Sequence, residues 1–191
     1  MTDEVISKLP ETLKENICTL KKASMDTTNK VFMCDSHIKV VDFDKIPNEY
    51  SRGRGWKSVP KSNDALYIDT HNKWHFIEFK NGRICKDEVY RKLYDSVLML
   101  MDLRIISDFE FVRENVNYIL VYNEGKYSKI QHSPARNQNY DYLMNLAHQE
   151  ERLFDIDDFE NYLFNETHTY TERLFDTKFV KAKEKEEGMI S

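Results

Sequence analysis

With 191 residues, 40% of them hydrophobic and 13% aromatic, the chain has the material for one globular domain with a proper core, which excludes a disordered polymer. A net charge of −5 argues against a protein that coats nucleic acid nonspecifically, because phosphate neutralisation needs broadly basic surface. The longest purely apolar run, Val97 to Met101, is far too short to span a membrane, and the acidic start lacks a signal-peptide pattern, so no membrane contact and a cytoplasmic location are expected. Cys18, Cys34 and Cys85 are odd in number and scattered without CxxC spacing, which reads as free thiols rather than a zinc site or disulfide framework. In chain order, Ile6, Leu9, Leu13, Ile17 and Leu20 recur at helical spacing over Asp3 to Ala23, with Pro10 either opening a second helical piece or kinking one long helix. Ser24 to Lys30 reads as a polar connector, and Val31 to Cys34 and Ile38 to Phe43 as strands. Asp42, Asp44 and Glu49 are further acids near the motif that could support a site from behind, with exposed loop acids as the default reading.

Tyr50 to Lys61 is the most basic stretch, with Arg52, Arg54, Lys57 and Lys61 and no acid. Gly53 and Gly55 make it a flexible loop, and Trp56 offers a flat stacking surface. Basic groups mixed with an aromatic suit a nucleic acid backbone and an unstacked base, against the simpler reading of a solvated turn with a packed tryptophan.

The stretch Ser62 to Gly82 organises the chain. Two strands, Asp64 to Asp69 and Trp74 to Lys80, are joined by the polar turn Thr70, His71, Asn72. Side chains alternate along a strand, so Glu78 and Lys80 share one face, while Ile77 and Phe79 point the other way into a core. The antiparallel return brings Asp64 beside Glu78. Two neighbouring carboxylates repel, and a divalent cation removes the conflict; Mg²⁺ favours one or two carboxylates with waters and substrate phosphates. A lysine beside such a metal can hold the attacking water or offset charge on a phosphate.

Asp64, then thirteen residues, then Glu78-Phe79-Lys80 resembles the PD-(D/E)xK nuclease superfamily over roughly residues 38–122. The resemblance implies a restriction-endonuclease-like α/β core in the order helix, three strands, helix, strand. It implies that Asp64 and Glu78 bind Mg²⁺ or Mn²⁺, that the backbone carbonyl of Phe79 joins them, and that Lys80 orients the nucleophilic water. Asn63 stands where the family pattern has proline. The family often adds an acid from the first helix, here Glu11 or Glu15, although a solvated helix face is the plainer reading of both.

After the hairpin, Asp87 to Leu103 reads as a helix with Val89, Leu93, Val97 and Leu100 in one stripe, widened by Tyr90, Tyr94, Leu98 and Met101. Lys86, Arg91 and Lys92 on it read as surface bases that a phosphate could reach. Val116 to Tyr122 is a continuous apolar run, the mark of a buried strand parallel to its neighbour. Glu124 to Arg136 reads as a loop, Asn137 to Arg152 as a helix, and Asp155 as the cap of a short helix through Leu163. Thr169 to Glu172 fits a capping box ahead of a last helix with Leu174, Phe175, Phe179 and Val180 inward. His71 and His75, four apart across a turn, are not a metal pair. The expected layout is a single domain over 1–182, with a core at about 38–122, a helical C-terminal layer at about 137–182 and a flexible tail at 183–191.

Two functions from different classes fit. One is metal-dependent hydrolysis of phosphodiester bonds in DNA or RNA. The other is a catalytically silent protein-binding module on the same fold, such as an acidic immunity or inhibitor protein for a basic toxin. Seven acids and the lone base Arg152 in Glu150 to Glu166 favour that second reading, with a protein partner on the acidic C-terminal half.

Overall fold

The computed structural model describes residues 1–127 and 150–189. Six strands form one mixed sheet, in the order β1 (Ile17–Thr19), β4 (Lys39–Asp42), β5 (Ala65–Ile68), β6 (Trp74–Lys80), β7 (Val116–Tyr122) and β8 (Glu166–Thr171). The first four are antiparallel neighbours; β7 and β8 are added in parallel. The short strands β2 (Met25–Asp26) and β3 (Val31–Phe32) make a separate hairpin.

The central hairpin forms as its residue types require. Asn72 adopts a left-handed conformation in the turn, and the Asp69 carboxylate accepts the backbone N–H groups of His71 and Lys73. The register pairs Ala65 with Ile77 and Ile68 with Trp74. Helix α5 (Lys86–Asp102) then crosses one face of the sheet to bring β7 in parallel with β6. The opposite face is covered by the C-terminal stretch: α8 (Glu172–Phe175), a π-helical turn (Asp176–Val180) and α9 (Lys181–Glu186). Phe175 packs edge-on to Phe79, and Phe179 to Tyr67 and His75. Burial therefore runs through both faces of β6, from Trp74 to Phe79, where sequence alternation predicts a core on one face only.

Several expected elements are corrected. The amino-terminal helix is broken: α1 (Asp3–Lys8), α2 (Glu11–Lys14) and α3 (Leu20–Ala23) flank strand β1. Pro10 caps α2, and the β-favouring triplet Ile17-Cys18-Thr19 pairs with β4 instead of continuing the helix. The basic stretch begins inside α4 (Ile46–Arg54), ended by Gly55 in the left-handed conformation that glycine adopts without strain. Helix α6 (Phe109–Asn115) precedes β7, and Glu124–Tyr127 is a helical turn, α7, where a loop was expected. The helix expected at Asn137 to Arg152 lies almost wholly outside the described residues. Asp155 is left-handed and precedes a 3-10 turn, Ile156–Phe159. The alternation Glu166-Thr167-His168-Thr169-Tyr170-Thr171 is the strand β8, and Thr171, not Thr169, caps the last helix by accepting the Leu174 N–H at 3.1 Å.

The tail from Lys183 is the largest correction, because it is tied down. Lys183 Nζ lies 3.0 Å from Asp69 Oδ2, Ser36 donates to Glu184, and Glu187 accepts both the Tyr67 hydroxyl at 2.8 Å and the terminal ammonium of Met1 at 2.6 Å. Asp69 is buried, so Lys183→Ala is expected to lower stability by about 2 kcal/mol, the usual cost of losing a hydrogen bond to a buried charge. The urea midpoint measures this, and an unchanged midpoint would return the tail to a frayed end. Among the described residues no helix is long and apolar enough to cross a membrane, and the three cysteines are free thiols.

Candidate active site

The site lies at one end of the sheet because three turns of chain meet there. β4 ends at Asp42 opposite Ala65, β5 begins after Asp64, and β6 ends at Lys80. Asn63, next to Asp64, is fully buried, and its backbone N–H and side-chain amide both donate to Ser96 Oγ, at 3.0 and 3.2 Å. That clamp fixes the start of β5 to α5, one helical turn beyond Lys92. A cavity of about 250 Å³ opens there, with Asp44, Asp64, Phe79, Lys80 and Lys92 in its wall and Asp26 of the β2–β3 hairpin across from them.

The two predicted carboxylates do converge. Asp64 Oδ2 accepts the Phe79 backbone N–H at 2.6 Å, which joins the two strands at the motif itself. Asp64 Oδ1 and both oxygens of Glu78 are directed at one ammonium, that of Lys92, at 3.0, 2.7 and 2.9 Å. Lys80, on the same face of β6 as Glu78, sits 2.9 Å from Glu78 Oε1. Asp44 accepts the Ser62 hydroxyl at 3.0 Å.

Glu78 is 0% exposed. Burial first, and the negative charge of Asp64 second, push its pKa up to about 7, against the pull of Lys92 and Lys80. Burial and Asp64 raise Asp44 as well. Lys92 is held protonated well above the ordinary lysine range, because the attraction of Glu78, Asp64 and Asp44 outweighs its desolvation. A proton taken up by this cluster near neutrality therefore goes to Glu78, while Lys92 keeps its own.

Lys92 is the residue that sequence reasoning undervalued, although the signal was present. It stands three residues after Val89 and four before Ser96, and both are buried on the sheet-facing side of α5. The apolar stripe widens through Lys92, Ser96 and Met99, not through Tyr94 and Leu98, which are exposed. A lysine on the buried side of a helix needs a carboxylate, and this one has two.

The basic stretch is not at the cavity. None of Arg52, Arg54, Trp56, Lys57 and Lys61 is in its wall. Arg54 lies over the Tyr50 ring and pairs with Asp102 at the far end of α5. Trp56 packs edge-on to Tyr50 while staying 52% exposed, and the Lys61 backbone N–H donates to Asp95. His75 is buried 3.7 Å from Asp69, far from the carboxylate pair in register.

No group of three or more His, Cys, Asp or Glu side chains among the described residues is arranged to hold a metal ion. Two carboxylates are the complement that Mg²⁺ uses when waters and substrate phosphates supply the rest. The donor chemistry fits such an ion: three hard oxygens already share one cation, and that cation is an ammonium. No family model matches the chain, and neither the curated proteins nor the solved structures contain a significant match to it.

Proposed function

We propose that this chain is a Mg²⁺- or Mn²⁺-dependent nuclease of the PD-(D/E)xK type, hydrolysing phosphodiester bonds of DNA or RNA on a restriction-endonuclease-like core. Supporting this reading, β4, β5 and β6 are antiparallel neighbours followed by α5 and the parallel β7, with α4 intervening between β4 and β5 and α6 between α5 and β7. The observation that carries the reading is the convergence of Asp64 Oδ1 and both Glu78 oxygens on one cation. Asp64 and Glu78 would hold the metal, with the Phe79 carbonyl as the third protein ligand that the resemblance implies. When bound, the metal would polarise the scissile phosphate and offset its growing charge.

The side chains contribute the rest. Lys80, held by Glu78 and in the cavity wall, positions a water for attack on phosphorus. The new P–O bond forms as the bond to the leaving oxygen breaks; the attacking water gives up a proton to solvent, and the leaving oxygen takes one from solvent. The stretch from Arg52 to Lys61 would meet the nucleic acid backbone away from the reacting phosphate, and so affect affinity and its salt dependence.

The test is incubation with single- and double-stranded DNA and RNA, in Mn²⁺ and in chelator, for wild type and Lys80→Ala. Metal-dependent cutting lost in Lys80→Ala is expected. Cutting that survives chelation would reject the mechanism, and no cutting of any substrate would favour the protein-binding module. One observation supports that alternative. Tyr94, Leu98, Phe109 and Tyr162 are exposed around a mostly apolar groove of about 270 Å³ whose wall also holds Arg113.

A further inference from the structure

We infer that Lys92 is the site's own counter-cation: it holds Asp64 and Glu78 together in the absence of metal, and must leave them for a divalent ion to bind. The inference rests on the nuclease reading for the identity of the incoming ion. Asp64 Oδ2 accepts the Phe79 N–H, and Lys92 takes Oδ1, the oxygen without a backbone partner, at 3.0 Å. Glu78 is closed to solvent, and both of its oxygens are within 2.9 Å of the Lys92 ammonium. An ion that needs oxygens at about 2.0–2.1 Å has no room beside an ammonium using the same three.

Lys80 is not in this position. It touches Glu78 Oε1 alone and leaves Asp64 untouched. Lys92 therefore bridges, whereas Lys80 only accompanies. The displaced ammonium also has a place to go. Its side chain is 17% exposed and stands in the wall of the 250 Å³ cavity, where a substrate phosphate would sit against the carboxylates. On leaving the acids, Lys92 becomes an anion contact, on a four-carbon stem that allows the swing.

Divalent metal and phosphate should then bind cooperatively, since a phosphate in the cavity stabilises the state in which Lys92 has vacated the metal position. The coupling is reciprocal by linkage. The free protein should bind metal weakly and the phosphate-loaded protein more tightly.

The experiment is calorimetric titration of Mg²⁺ into wild type, Lys92→Met and Lys80→Met, with and without inorganic phosphate. Lys92→Met is expected to bind Mg²⁺ roughly tenfold more tightly than wild type without phosphate, and to lose the phosphate enhancement that wild type shows. Lys80→Met removes the same charge without the bridge; it should gain less and keep the enhancement. Equal or weaker Mg²⁺ binding by Lys92→Met beside a wild type that binds would overturn the inference and leave the nuclease reading standing. No Mg²⁺ binding by any of the three would remove both. A second measurement needs only the folded wild type, and so holds even where Lys92→Met fails to fold. The Lys92 side-chain ammonium, detected by nitrogen NMR, should give a protected signal in chelator that is lost on adding Mg²⁺. A protected signal that persists at saturating Mg²⁺ would overturn the displacement.

Discussion

In chelator at pH 8, Lys92→Met is expected to lose about 3–5 kcal/mol of stability, the cost of removing one partner from a buried ion pair. For a chain of this size that is a fall in melting temperature of roughly 6–20 °C. The magnitude reflects the charges left behind. Asp64 and Glu78 would face each other with only Lys80 nearby, and Lys80 reaches one oxygen of Glu78 and none of Asp64. Glu78 has no solvent to turn to. A methionine fills the volume of the lysine stem, so packing changes little and the loss reports charge. An exposed pair on a helix surface would cost under about 1 kcal/mol, and a loss that small would mean that the Lys92 bridge does not govern the metal-free site. Combining Lys92→Met with Glu78→Gln should recover much of the loss, because one of the stranded carboxylates is then gone. Thermal and urea melts of the two single variants and the double variant measure the coupling directly.

The parts of this arrangement that were legible in the sequence are those set by local geometry. A period of two on β6 puts Glu78 and Lys80 on one face, and a short turn forces Asp64 back beside Glu78; both come from residue order alone, and the register Ala65 to Ile77 satisfies them. Val116 to Tyr122 was legible because a run of seven buried residues has few other homes. The features that escaped notice depend on distant chain. Whether Lys92 faces solvent or sheet turns on which flank of the α5 stripe the sheet covers, and Tyr94 and Leu98 pulled the reading to the wrong flank. The strand β8 was hidden by its threonines, which serve as helix caps as readily as strand residues, until β7 offers an edge to pair with. Lys183, Glu184 and Glu187 look like a solvated charge run, and only their partners Asp69, Ser36 and the Met1 terminus, more than a hundred residues earlier, make them structural.

Glu78→Gln is expected to change how stability depends on pH, with a sign opposite to that of an ordinary surface carboxylate. Burial, and then the charge of Asp64, lift the Glu78 carboxyl from 4.5 to about 7 in the folded protein. The folded state then holds this proton more tightly than the unfolded chain does. The stability that comes from that proton is fully present below about pH 4.5 and is lost as pH rises through about 7. Glutamine mimics the protonated form at every pH. Wild type and Glu78→Gln should therefore match in metal-free stability near pH 5, and diverge above pH 7 with glutamine the more stable by up to about 3 kcal/mol. Lys92 is not orphaned by the change, because Asp64 Oδ1 remains at 3.0 Å. His75, whose pKa burial lowers, is present in both proteins and cancels in their difference. If Glu78 is instead a net-favourable ionised partner of Lys92 and Lys80, the difference runs the other way: glutamine becomes the less stable protein above pH 7, and wild type gains on it as pH rises. Melts of both proteins in chelator at half-unit steps from pH 5 to pH 8.5 separate the two signs, and a wild-type advantage at pH 8 would end the claim that the two carboxylates strain the metal-free site.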